Sequence, residues 1–155
     1  MATTSSQYGE CMTDALTELA LFELLSQECR VGSDGTVSYY NKQGQFHRTH
    51  GPAIEYSDGT REWRHNGQRH RLDGPAVVCP NGYRAWWQNG QLHRLDGPAI
   101  EYSDGSREWF QNGQQHRVDG PAFVDADDGR CEWFIKGREL TESEWQQAVA
   151  SMENV

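Results

Sequence analysis

The chain has 155 residues, 23 Asp and Glu against 14 Lys and Arg, and a formal net charge of -9. That balance excludes a basic nucleic-acid binder that works by neutralising phosphates, which needs an excess of cations. Its 35% hydrophobic residues are too few for a thick two-layer core, yet 6 Trp, 6 Tyr and 5 Phe set it apart from a disordered acidic chain, so a thin fold built on aromatic rows is expected.

At the N-terminus, Met1 to Tyr8 hold no basic residue ahead of an apolar run, and the longest apolar stretch, Leu19 to Phe22, is far too short to cross a bilayer. A cytoplasmic protein is expected. Residues 13 to 28 are rich in helix formers, and Thr13 can cap the first turn. Leu16, Leu19 and Phe22 share one face of that helix, while Leu21 and Leu25 point to the opposite side. One face is expected to cap the first hairpin; Leu21 and Leu25 are candidate partner contacts that allow a homodimer through the N-terminal helix.

The middle of the chain is a repeat. Gly-Pro-Ala begins at Gly51, Gly74, Gly97 and Gly120, and His-Arg at His47, His70, His93 and His116, each series advancing by 23 residues. Trp63, Trp86 and Trp109 keep the same step, with Tyr40 in the equivalent place before them and Trp133 displaced by one residue after them. A fixed period in this range signals an array whose units bury their faces only against neighbours. Ala53 to Tyr56 and Arg61 to Trp63 flank Ser57-Asp58-Gly59-Thr60, a strand, a turn needing positive φ at Gly59, and a returning strand. Pro80-Asn81-Gly82 does the same in the next unit. Asn66-Gly67, Asn89-Gly90 and Asn112-Gly113 mark a second reversal, and Pro52, Pro75, Pro98 and Pro121 are expected at the first residue of a strand.

The stretch Trp86 to His93, with its Asn89-Gly90 and the later Asp104-Gly105, resembles MORN-type repeats. The likeness covers roughly residues 31 to 138 and implies successive β-hairpins with an aromatic strand, an Asn-Gly reversal and a glycine-rich return. Two departures stand out: Arg-Glu or Arg-Ala replaces the Tyr-x-Gly before the aromatic, and His-Arg-x-Asp-Gly-Pro-Ala occupies the simpler return. Repeats carrying that motif look similar to ones in phage and bacterial proteins. At the C-terminal end Thr141-Glu142-Ser143-Glu144 is a capping box, followed at helical spacing by Trp145, Ala148, Val149 and Met152. The expected fold is mainly β, a single-layer antiparallel sheet of four to five hairpins. Residues 1 to 30 form an N-terminal helical cap, 31 to 138 the array and 139 to 155 a C-terminal helical cap.

No chemistry-bearing cluster interrupts this pattern. Cys11, Cys29, Cys79 and Cys131 lie far apart and read as cytosolic thiols. Histidines one hairpin apart are roughly 9.5 Å from each other, too far to share a metal. Their imidazoles can bond turn backbone instead, and Arg71, Arg94 and Arg117 can pair with Asp73, Asp96 and Asp119. His47 and His50 form the one local His pair. There is no Gly-x-Ser-x-Gly elbow and no phosphate loop. A repeated set of polar groups does not converge on one reacting atom, so no enzyme, cofactor or metal is expected.

Function is then sought where the units vary. After each aromatic anchor stand Asn41, Arg64, Trp87, Phe110 and Phe134; before each His stand Phe46, Arg69, Leu92 and Gln115. Arg64, Arg69, Trp87, Leu92 and Phe110 have the composition of a binding hot spot if their row faces out; the alternative is that it faces the core and the first Trp row faces out. The expected function is a non-enzymatic protein-binding module, in its concrete form a phage-type inhibitor docking on a bacterial nucleic-acid-handling enzyme complex such as a defence nuclease, without direct nucleic-acid or membrane contact. The alternatives are a small-ligand or nucleotide-binding protein and an antitoxin or immunity-type protein. Residues 139 to 155 hold four acids and no base, and residues 1 to 30 five acids and one base. Glu142 and Glu144 are therefore candidate contacts to a basic partner surface.

Overall fold

The computed structural model describes residues 27–153. Most of the expected N-terminal helix, including Leu21 and Leu25, lies outside the described residues, but its expected end does not: Glu28 to Arg30, assigned to the helical cap, are strand, paired with Ser38 to Tyr40. The described chain is mainly β, a long antiparallel meander ended by one helix.

The entry hairpin pairs β1 (Glu28–Val31) with β2 (Val37–Tyr40). Each unit then supplies two short hairpins. In the first, β3 (Ile54–Glu55) pairs with β4 (Arg61–Glu62), followed by β5 (Arg64–His65) with β6 (Gln68–Arg69). The same order recurs in β7 (Val77–Val78), β8 (Arg84–Ala85), β9 (Trp87–Gln88) and β10 (Gln91–Leu92). It recurs again in β11 (Ile100–Glu101), β12 (Arg107–Glu108), β13 (Phe110–Gln111) and β14 (Gln114–Gln115). The array closes with β15 (Phe123–Val124), β16 (Cys131–Ile135), β17 (Arg138–Leu140) and the helix α1 (Glu142–Glu153).

The first hairpins join into one 11-stranded sheet in the order β1-β2-β3-β4-β7-β8-β11-β12-β15-β16-β17, and the second hairpins form three two-stranded pieces beside it. The sheet is thus not one uninterrupted layer, because the ladder breaks at the anchor tryptophan of each unit. The Trp63 amide donates to Ala76 O in the long sheet while its carbonyl accepts from the His70 amide in the second row. One residue therefore stitches both rows.

Turn chemistry explains the punctuation. Gly59 at φ 88° closes the first turn, and the Thr60 amide donates to the Asp58 carboxylate at 2.8 Å. Asn66 and Gly67, at φ 47° and 82°, both occupy the left-handed region, the combination a two-residue hairpin reversal requires. The prolines precede the ladder rather than start it: pairing begins one residue later, where the Ala53 amide donates to Glu62 O. These alanines form the floor of the core. Ala53, Ala76, Ala99 and Ala122 are fully buried, next to Ile54, Val77 and Ile100.

At the far end the capping box forms as expected, with the Thr141 amide donating to Glu144 Oε2 at 2.8 Å and the Glu144 amide to Thr141 Oγ1 at 3.3 Å. Trp145 docks the helix: its ring lies 4.5 Å from that of Trp133, and its Nε1 donates to Arg117 O at 2.9 Å. No helix among the described residues is long and apolar enough to cross a membrane.

Candidate protein-binding surface

The His-Arg-x-Asp-Gly-Pro-Ala loops link one unit to the next, and their histidine and arginine side chains have internal tasks. Each histidine Nδ1 accepts the amide of a left-handed residue in the next second-row hairpin: His47 from Asn66, His70 from Asn89, His93 from Asn112 and His116 from Lys136, all at 3.1 Å. Acceptance at Nδ1 requires the neutral imidazole with its proton on Nε2. The four rings are therefore clasps between units.

The arginines are more heavily committed. Arg71, Arg94 and Arg117 lie over the rings of Trp63, Trp86 and Trp109 at 4.0, 4.0 and 3.9 Å from the centroid. Their Nε atoms donate to Asp73, Asp96 and Asp119 at 2.9, 3.1 and 2.9 Å. Their Nη1 atoms donate to the carbonyls of Pro75, Pro98 and Pro121. A planar fork on a rigid stem can do all three at once. In the first loop, where His50 replaces the aspartate, Arg48 instead pairs with Glu55 at 3.0 Å and still donates to Pro52 O.

Arg48 stacks on Tyr39, at 3.8 Å, not on Tyr40. The turn at residues 41–45 is longer than the Asn-Gly reversals, since Tyr40 bridges Phe46 whereas Arg64 pairs with Arg69. Tyr39 is thus the anchor of the opening unit, one step before the Trp63 unit, and Tyr40, not Asn41, stands in the row of Arg64, Trp87, Phe110 and Phe134.

That row faces inward. Trp87, Leu92 and Phe110 pack against Val77, Ala85 and Ile100. Arg64 and Arg69 close on the buried Glu62 at 2.7 and 2.9 Å. Burial pushes the Glu62 carboxyl up, but the hydrogen bonds and charges of Arg69 and Arg64 outweigh it and hold the group below the usual carboxylate range. In the third unit Tyr102 Oη and Gln115 Nε2 both donate to Glu108. Burial and the Glu108 carboxylate push the Tyr102 phenol up. Arg64, Arg69, Trp87, Leu92 and Phe110 are thus brought together, as the interior of the array, whereas Glu142 and Glu144 lie apart on exposed α1, Glu144 tied into the cap.

The opposite face carries what the loops leave over. Between each folded-back Arg and Asp one side chain is forced outward, and in three successive loops it is apolar: Leu72 is 75% exposed, Leu95 74% and Val118 44%. At two strand spacings per unit these form a ridge with a step of roughly 9.6 Å. A cleft of about 550 Å³ separates the loops and is lined by Leu72, Pro75, Trp86, Gln88, His93 and Leu95 among others. A second cleft, about 420 Å³, opens beside Trp63, His65, His70 and Leu72. The repeat pattern alone does not point to this ridge, although its signal is present: the variable position of His-Arg-x-Asp holds Thr49, Leu72, Leu95 and Val118 at the repeat step.

No group of three or more potential metal ligands occurs among the described residues. His47 lies against His65, with ring centroids 4.6 Å apart, and its Nδ1 is occupied by the Asn66 amide. Comparison with family models, curated proteins and solved structures gives no match.

Proposed function

We propose that the protein is a non-enzymatic binding module that docks on another protein through the Leu72, Leu95 and Val118 ridge and the clefts beside it. One observation carries the reading: each loop arginine is bonded to the aspartate two residues on, while the apolar side chain between them is held out in water at consecutive repeats. A rigid row of exposed apolar side chains rimmed by polar groups is the composition of an interaction surface. The loops need no ordering on binding, since each is already fixed by stacking and hydrogen bonds.

The partner we propose is a nucleic-acid-handling enzyme complex, inhibited in the manner of a phage-encoded protein. The acidic exposed α1, with Glu142 in its first turn, supports that choice, because it suits a basic surface, and so does the likeness of the repeat to phage and bacterial ones. The anion-binding alternative has less to support it, as Arg71, Arg94 and Arg117 already hold aspartates.

Affinity capture from bacterial lysate with the wild type and with Leu72→Asp/Leu95→Asp tests the reading. A specific partner retained by the wild type and lost by the double variant is expected, with unchanged circular dichroism. Capture of the same set by both proteins sinks the ridge as the contact. Loss on Glu142→Lys, which leaves Thr141 and Glu144 in place, separates the helix contribution.

A further inference from the structure

The long sheet begins at β1, whose outer edge is unpaired among the described residues. β1 has β2 on its other side, and all four of its residues are exposed, Val31 to 70%. At the opposite end α1 follows β17 and packs against β16 and β17. An open edge presents unpaired backbone donors and acceptors, which recruit another strand unless something forbids it.

The sequence of this edge is self-complementary. Glu28 and Arg30 sit two apart on one face of β1, their carboxylate and guanidinium joined at 2.8 Å, with both side chains more than half exposed. Cys29, exposed, lies between them on the other face. When two copies of β1 run antiparallel about a two-fold axis through Cys29, Glu28 of each copy falls opposite Arg30 of the other, and Cys29 falls opposite Cys29. Directly opposed positions have Cβ atoms about 4.5–5.5 Å apart, close enough for the ion pairs to cross the interface. Any other register sets Glu28 or Arg30 opposite an uncharged residue or its own kind. An isologous pairing also closes, whereas joining β1 to the far edge of the next copy would run on as a filament.

We propose that the protein forms a two-fold dimer by antiparallel β1 to β1 pairing, continuing the sheet across the two copies, with Glu28 and Arg30 setting the register. A four-residue strand buries little surface, so the dimer is weak and concentration-dependent. The pairing is independent of the Leu72 and Leu95 ridge, and loss of one leaves the other intact.

Sedimentation equilibrium of the full chain, up to several hundred micromolar and under reducing conditions, tests it. Glu28→Arg alone and Arg30→Glu alone set like charges opposite each other and are expected to weaken association at least tenfold. The combined swap Glu28→Arg/Arg30→Glu rebuilds the same pairs in reverse and is expected to restore it to within about threefold. Diamide, which takes the two electrons from a thiol pair, should link the wild-type dimer through Cys29 of both copies, as read by peptide mapping. A monomer at every concentration, single reversals without effect, a double swap that fails to rescue, or a cross-link mapping to Cys11, Cys79 or Cys131 overturns the proposal. Unchanged thermal midpoints in all three variants confirm that the exposed edge, and not the fold, was altered.

Discussion

The His70 Nδ1 atom accepts the Asn89 backbone amide at 3.1 Å across 19 residues of sequence, and the same bond joins His47 to Asn66 and His93 to Asn112. In the last of the series the partner is Lys136, left-handed at φ 50° like the asparagines before it. One geometry thus runs through the array with a single charged variation at its end.

That variation gives a pH dependence. Burial lowers the His116 pKa from its ordinary 6.5, and the Lys136 charge lowers it further. The folded state therefore binds a proton less readily than the unfolded chain. The stability contributed by His116 is fully present above the unfolded value and is lost as the pH falls below it through the folded pKa. Urea midpoints should decline on acidification below about pH 6.5. Lys136→Asn, which removes the charge and suits the left-handed turn, should raise the His116 pKa in an NMR titration and flatten that decline. An unchanged His116 titration would show that Lys136 is not felt.

The arginine stack rests on a missing side chain. A Cβ added at Gly120 would come within 2.9 Å of the Arg117 Cζ, and one at Gly97 within 3.0 Å of Arg94. Gly120→Ala is expected to displace the guanidinium from Trp109 and cost about 1–2 kcal/mol in denaturant melts, the size of a partly desolvated cation–π contact with its hydrogen bonds. Arg117→Lys should cost a similar amount, since an ammonium cannot stack and fork together. Asp119→Ala should cost under about 1 kcal/mol, because that carboxylate is 79% exposed. Equal losses for all three would mean that the ion pair, not the stack, holds the loop.

Position by position, the interior of the first unit is an ionic version of the second. Glu62, Arg64 and Arg69 stand where Ala85, Trp87 and Leu92 stand one repeat later. Glu62→Ala strands two half-buried guanidiniums and is expected to cost about 2–4 kcal/mol. Replacing all three together, Glu62→Ala with Arg64→Trp and Arg69→Leu, should bring stability back to within about 1 kcal/mol of the wild type or above it, since a packed apolar set often equals a buried ion pair. A triple variant less stable than Glu62→Ala alone would show that the units are not interchangeable.

Trp87 carries a buried indole N–H with no acceptor among the described residues. Phenylalanine occupies the same place in the next unit, at Phe110. Trp87→Phe removes an orphan donor whose desolvation costs about 1–3 kcal/mol while giving up part of the ring contact. Calorimetry should show a change smaller than about 1.5 kcal/mol, against about 3–5 for Trp87→Ala. A phenylalanine variant as unstable as the alanine variant would mean the N–H is satisfied.

The amino-acid sequence by itself determined the repeat step, the two reversals in each unit and the C-terminal capping box. These depend on chemistry within a few residues: asparagine and glycine tolerate positive φ, and Thr141 and Glu144 reach each other's amides. The same locality explains the pairing of Arg71, Arg94 and Arg117 with aspartates two residues away. Only the tertiary structure decided which row faces in. Arg64, Trp87 and Phe110 could not be assigned to a face because both faces carry apolar residues. The assignment depends on the break at each anchor tryptophan, which turns the second hairpin back against the first. It also decided the phase of the opening unit, where the longer turn at 41–45 makes Tyr39 the stacked anchor instead of Tyr40. Finally, it turned the variable loop position from a gap in the motif into an exposed ridge. Leu72 and Leu95 project outward only because the arginine before each folds back onto the tryptophan of its own unit and holds the aspartate after it, which leaves the side chain between them no place inside.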